Sequence, residues 1–197
     1  MDFPINAPIG ERVRRKETQR FITGTGRYVD DLLPSGTLHV SFVRSSCAHA
    51  KIKSVDVEAA RSIPGVHAVF TGKDIAQHVK PLRVGGSSVL RPVKLYPLAV
   101  DKVRYLGEPL AVVVADNRYL AEDATEAVQV EYELLPVVID PEAAMEPGAA
   151  AVHEDAGSNI VYKYHFATDG IDKVFQDADV VIKERIRSHR ITACPIE

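Results

Sequence analysis

Between Leu38 and Arg44 the chain alternates. Leu38, Val40 and Phe42 fall on one side, and His39, Ser41 and Val43 on the other, a period of two that predicts a β-strand. Lys51 to Val57 reads as a second strand. Glu58 to Ser62 reads as a short helix stopped by Pro64-Gly65, and Val66 to Phe70 as a third strand. The clearest unit follows. Leu110 to Ala115 is an unbroken apolar run, the pattern of a strand buried on both faces. Asp116 or Asn117 supplies a helix cap. Leu120, Ala124, Ala127 and Val128 then recur at i, i+4, i+7 and i+8 and form one apolar helical stripe. Gln129 to Leu134 returns to alternation, with Val130, Tyr132 and Leu134 together. Strand, helix and strand with almost no linker predict a compact α/β layer.

The flanks are less regular. Residues 1–36 hold Pro4, Pro8, Gly10, Gly24, Gly26, Pro34 and Gly36 with little periodicity, and read as an arm lying on another surface. The pattern is weak from Lys73 to Leu98, where Gly85-Gly86-Ser87-Ser88 marks a loop. Pro136 to Gly157 is rich in Pro, Ala and acids and reads as a connector. Lys173 to Ala178 predicts a helical turn and Val180 to Arg187 a strand. The last forty residues carry too little apolar surface to fold alone, so they read as the start of a second domain.

Composition narrows the function classes. The chain has 197 residues, with 24 Lys and Arg against 27 Asp and Glu, a formal charge of −3. A weakly acidic total argues against nucleic-acid binding. No apolar run approaches the roughly 18 residues a membrane span needs, so no membrane role is expected. Arg14-Arg15 lacks the apolar segment an export signal requires, which leaves a cytoplasmic location as the expectation. Cys47 and Cys194 show no metal-ligand spacing and read as two buried reduced thiols, so no metal ligand set is expected. Charge is nonetheless uneven. Residues 11–20 carry five bases and two acids, and residues 115–155 eleven acids and one base, Arg118. Such blocks are either solvated faces or surfaces that dock onto other polypeptides.

Local motifs carry little chemistry. Gly24-Thr25-Gly26 resembles half of a dinucleotide fingerprint, but Val29 stands where its third glycine belongs and no buried strand precedes it. No nucleophile elbow occurs. The seven histidines form no zinc motif, and His153-Glu154-Asp155 reads as a solvated polar trio. Asp30-Asp31 and Glu122-Asp123 read as surface carboxylates. No catalytic residue is assigned from residue chemistry alone.

The order of several phrases changes this picture. They are Gly24-Thr25-Gly26-Arg27-Tyr28-Val29-Asp30-Asp31, Leu38-His39-Val40-Ser41-Phe42-Val43-Arg44-Ser45, and Ala48-His49-Ala50-Lys51-Ile52. Pro64-Gly65-Val66 and Thr71-Gly72 follow, then Val103-Arg104-Tyr105-Leu106-Gly107-Glu108-Pro109 running into the apolar block. Arg118-Tyr119-Leu120-Ala121-Glu122-Asp123-Ala124 and Val130-Glu131-Tyr132-Glu133-Leu134-Leu135-Pro136 complete the series. This order resembles the start of the large, molybdenum-binding subunit of the xanthine dehydrogenase / aldehyde oxidase / carbon monoxide dehydrogenase family.

The resemblance implies an α/β (α+β) fold: an N-terminal arm over 1–18, an a/b hammerhead domain over 19–138, and a linker over 139–158. Residues 159–197 are then the truncated start of a molybdopterin-binding domain. It also implies a molybdenum hydroxylase whose electrons leave through iron–sulfur clusters to flavin. Molybdopterin, as the cytosine dinucleotide, serves the complete enzyme and is not expected on this chain alone. The implied partners are the remainder of the large subunit, an iron–sulfur small subunit and an FAD-binding medium subunit. His189-Arg190 followed by Pro195-Ile196-Glu197 fits a family Pro-x-Glu whose carboxylate faces the substrate pocket, so Glu197 is the one candidate substrate-binding residue. The family's catalytic glutamate and most pterin-contacting loops lie later in that subunit, so the isolated chain is expected to be inactive. The alternative is a standalone scaffold or assembly module whose basic and acidic segments are contact faces.

Overall fold

The computed structural model describes residues 15–83, 93–163, 165–189 and 191–194. The chain divides into two units, one holding residues up to Thr37 together with those from Ile182 on, and one spanning Leu38–Val181. The first contains a short helix, α1 (Thr18–Ile22), and a single 3₁₀ turn at Val29–Asp31. Phe21 and Tyr28 stack there with ring centroids 6.0 Å apart, and Arg20 lies over the Phe21 ring.

The second unit opens with strands β1 (His39–Arg44) and β2 (Ala50–Asp56), helix α2 (Glu58–Arg61), strand β3 (Val66–Thr71) and helix α3 (Gly72–Ala76). Three two-residue strands follow, β4 (Leu82–Arg83), β5 (Lys94–Leu95) and β6 (Lys102–Val103). The series closes with β7 (Pro109–Ala115), helix α4 (Arg118–Glu126), β8 (Gln129–Leu134) and helix α5 (Ile171–Gln176). One sheet has the order β1-β7-β3 and the other β6-β2-β8, while β4 and β5 pair with each other. Every pairing is antiparallel.

Most of the predicted elements form within a residue or two of the expected bounds, but their assembly differs in three respects. The strand–helix–strand run 110–134 is not one layer, because β7 is the centre of the first sheet and β8 pairs with β2 in the second. Nor is β7 buried on both faces along its length. Ala111, Val113 and Ala115 are fully enclosed on the side of α4, while Val112 and Val114 alternate outward and stay half-exposed. An antiparallel sheet covered by helices on one side leaves this asymmetry. Finally, no strand forms at 180–187. Val180, Val181, Ile182 and Ile186 lie exposed there, with no described neighbour to supply a ladder.

The first core joins Val43, Val57, Ala60, Val69, Ala111, Val113, Ala124 and Val128. Small residues set its depth, since Ala111 on β7 and Ala121 and Ala124 on α4 have no exposed surface and let the helix approach the sheet closely. Asn117 starts α4 by accepting the Leu120 amide on its side-chain oxygen at 2.9 Å. The second core joins Ala50, Ala99, Val103 and Leu110. Val130 packs against both.

The outward face of the first sheet is apolar. Register places Val40 opposite Val114 and Ala68 opposite the same residue, and Phe42 and Phe70 flank Val112. Val40, Phe42 and Phe70 are 53%, 45% and 42% exposed. Thus the alternation read at Leu38–Arg44 is real, but the less polar side points to solvent. Ser41 and Val43 face the core because the helical side of the sheet tolerates only small side chains.

Helix α3 begins with a reciprocal cap in which Asp74 accepts from the Thr71 amide and hydroxyl, and Thr71 accepts from the Asp74 amide. The next residue, Gly72, presses directly on the backbone of Ala99 and Val100, and a methyl group there would overlap the Ala99 carbonyl. That carbonyl cannot retreat freely, since the Ala99 amide donates to Pro109 of β7 at 2.7 Å. Gly72→Ala is therefore expected to destabilise the fold by about 2 kcal/mol through overpacking, read as a lowered urea midpoint with an unchanged slope.

Candidate functional site

The strongest concentration of buried charge lies where β6 and the following turn meet the returning connector. Lys102 and Val103 form β6, pair with β2 and are both buried. Val103 fills the second core, while Lys102 carries an ammonium into the interior and is only 4% exposed. A buried ammonium needs a counter-charge. Glu154 supplies it from the connector, with Oε1 2.8 Å from Nζ, although Glu154 itself is largely exposed. That hydrogen bond and the Lys102 charge hold the Glu154 carboxyl below its usual range.

Arg104 and Glu108 close the other wall. The Glu108 carboxylate accepts from the Arg104 amide, and Arg104 Nη1 donates to the Lys102 carbonyl at 3.1 Å. The turn is fixed by Gly107, whose φ of +84° is left-handed and whose amide donates to Ser45. Burial pushes the Glu108 carboxyl up, only partly offset by the Arg104 amide and charge. These side chains, with Lys94, Tyr96, Asp101 and Asp155, line a cleft of about 430 Å³. Beside it His49 is 5% exposed and its Nδ1 lies 2.6 Å from the Pro136 carbonyl. Since a carbonyl only accepts, Nδ1 carries the proton.

Sequence reasoning missed this cluster. His153-Glu154-Asp155 was expected to be solvated. Glu154 and Asp155 are exposed as expected, but His153 is half-buried and Glu154 is tied to Lys102, because a buried cation draws its acid from a nearby acidic segment. The one available signal was the acidic excess at 115–155, which marks a surface seeking cations but does not say which.

The other sequence candidates do not gather here. Glu197, with Pro195, Ile196 and Arg190, lies outside the described residues. Thr25 and Gly26 spend their amides on the Arg20 carbonyl at 2.8 and 3.0 Å, ending α1, so Gly24-Thr25-Gly26 is a helix stop. Asp31 accepts the Tyr28 amide, and Glu122 and Asp123 stay exposed on α4. Of the two thiols, Cys47 is half-buried but Cys194 is exposed, contrary to the buried pair expected, because no described element packs over it.

A molybdenum–pterin group finds no fit among the described residues. No set of three or more His, Cys, Asp or Glu side chains converges there. Of the glycines, Gly72 is filled by backbone and Gly65 by Leu120 and Asp116, while Gly24, Gly36, Gly107, Gly148 and Gly170 face open space with no polar group gathered around them. The charged cleft suits positioning of the connector, whose Glu154 is paired with Lys102.

Comparison with known proteins adds what the geometry lacks. The family profile "Aldehyde oxidase and xanthine dehydrogenase, a/b hammerhead domain" matches residues 23–136. The carbon monoxide dehydrogenase large chain of Hydrogenophaga pseudoflava is 39% identical over 94% of this chain and 24% of its own length. Quinoline 2-oxidoreductase from Pseudomonas putida 86 superposes with a TM-score of 0.78 at 40% identity, covering 86% of this chain and 22% of that one. A Cu,Mo-containing carbon monoxide dehydrogenase superposes with a TM-score of 0.70 at 38% identity, over 87% and 23%. The chain spans about a quarter of the length of the relatives it matches.

Glu108 gives a test of the cleft. Its raised carboxyl is neutral in both folded and unfolded chains below the usual glutamate value of 4.5, so its contribution is complete there and declines as pH rises through the folded value. Glu108→Gln keeps an acceptor for the Arg104 amide without the buried charge. Its denaturant stability is expected to gain on the parent as pH rises from about 4.5 toward 7, whereas Glu108→Ala loses about 1–3 kcal/mol by leaving that amide unpaired.

Proposed function

The chain belongs to the aldehyde oxidase and xanthine dehydrogenase family through its a/b hammerhead domain, and from that membership we propose that it works as the N-terminal portion of the large subunit of a molybdenum hydroxylase. The observation that carries this reading is one likeness that spans nearly the whole chain. Identity near 40% runs across almost the whole chain into the N-terminal region of enzymes that oxidise very different molecules. A segment shared across carbon monoxide, nicotine and quinoline enzymes serves the common architecture, and substrate choice rests elsewhere.

In this reading residues 19–138 are the hammerhead domain, 1–18 an arm, 139–158 a linker, and 159–197 the beginning of the molybdopterin-binding domain. The molybdopterin cytosine dinucleotide is held by the remainder of the subunit, where it supplies oxidative hydroxylation. Iron–sulfur clusters and FAD sit on separate small and medium subunits, and the assembly is cytoplasmic. This chain's own contribution is to pack and position. The open apolar face of Val40, Phe42, Phe70, Val112 and Val114 supports this, since a patch of that kind on a sheet marks a surface that another polypeptide covers. Exposed Val180, Val181 and Ile182 supply a ready strand for the same purpose. Glu197 is assigned to the substrate pocket of the assembled enzyme, where its carboxylate accepts a hydrogen bond from substrate or from a neighbouring group.

Co-expression with the remaining large-subunit sequence and the two partner subunits is expected to yield a complex that contains molybdenum and reduces a dye with an oxidisable substrate. The 197-residue chain alone should contain none and turn nothing over. Stoichiometric molybdenum with turnover in the isolated chain would overturn the proposal. Phe42→Ser with Phe70→Ser should leave the circular dichroism of the chain intact while abolishing co-elution with the rest of the subunit. In the assembled enzyme Glu197→Gln should raise KM more than it lowers kcat.

A further inference from the structure

The connector that follows β8 does not trail away; it is tied to the β2 side at its start and folded onto itself at its end. At its start the Leu135 amide donates to the His49 carbonyl at 3.0 Å, and the His49 ring holds the Pro136 carbonyl. Farther on, Asn159 gathers the segment into a loop. Its oxygen accepts the Val152 amide at 2.9 Å, and its nitrogen donates to the carbonyls of Ala144 and Ala150. Between these ties one turn reaches into the cleft. Gly157 ends that turn with a left-handed φ of +71°, and Ala156 is buried.

The contact made by this turn is lopsided. On one side stands Lys102, enclosed on β6; on the other stands Glu154, mostly in water. The next side chain inward is His153, half-buried, with a covered Nδ1 that has no hydrogen-bond partner among the described residues. The charged groups near enough to act on its ring are Arg104, Lys102 and His49 from the β2–β6 side, and Asp155 from its own turn. Two fixed cations already occupy that side.

We propose that the 153–156 turn is a proton-operated clasp: a neutral His153 lets Glu154 close on Lys102, and a proton on the ring opens the turn and frees residues 150–160 from the β6 edge. A third positive charge in a half-buried site beside Lys102 and Arg104 is repelled by both, and with Glu154 engaged by Lys102 only the exposed Asp155 remains on that turn to offset it. Burial, then the Arg104 charge, hold the His153 ring below its usual 6.5 despite the opposing Asp155. The clasped state therefore prefers the neutral ring. Its stability is constant well above 6.5 and falls as pH drops below that value toward the folded one. Glu154, held below its usual 4.5, stays charged through that window, so loss of the carboxylate is a separate, more acidic event.

Hydrogen exchange of the 150–160 amides in the full chain tests this, corrected for intrinsic rates and read alongside a proton NMR titration of the His153 ring. Protection is expected to fall below pH 6.5 by up to about tenfold per pH unit, the limit for one linked proton, in step with a His153 midpoint under 6.5. His153→Gln should flatten that step. Glu154→Gln should lower protection at every pH and keep it. Protection that stays constant through the window, or that falls equally in His153→Gln, would overturn the clasp. If His153→Gln fails to fold, the parent titration decides: a His153 midpoint at or above 6.5, or proton uptake without loss of protection, has the same consequence.

Discussion

One strand belongs to both cores. Ala111 and Val113 of β7 face α4 in the first cluster, and Leu110, pointing the other way, seals the second with Ala50, Ala99 and Val103. Because successive side chains on a strand leave opposite faces, β7 is the piece through which two small sheets share one scaffold. The rest follows from that placement. The Pro109 carbonyl anchors Ala99, whose backbone blocks any side chain at Gly72. Antiparallel pairing on both flanks joins strands whose helices lie on one side, and on the outer face Val40, Phe42 and Phe70 stay exposed.

That half-covered sheet is the structural side of the functional reading. A domain with fully enclosed cores and an open apolar face is built to be packed against. The described residues neither converge on a metal nor cradle a pterin. The likeness to enzymes of different substrates fits a shared structural element. On the proposed reading the chemistry belongs to the assembled subunit, and this chain contributes packing surfaces.

The charged cleft follows a different logic. Lys102 is buried on the two-residue strand β6, and the cost of an enclosed ammonium is offset only if an acid comes to it. The acid comes from a connector, so one ion pair decides where that connector lies. Burial acts on Glu108 and on His153 in opposite directions, raising the acid and lowering the base, because in each case it disfavours the charged form.

The sequence alone determined the longer elements of the hammerhead, though not α3 or the two-residue strands β4, β5 and β6. Period-two alternation marked β1 and β8, the continuous apolar run marked β7, and Asn117 before the Leu120–Val128 stripe marked α4, because local patterning is set by side-chain geometry within a few residues. The ordered phrases also determined the family. Pairing partners, the outward turn of Val40 and Phe42, and the meeting of Lys102 with Glu154 were settled only by tertiary structure. Residues 52 positions apart carry no mutual signature in a single sequence. Alternation tells which side chains share a face, but the helix that arrives on one side decides which face becomes the inside.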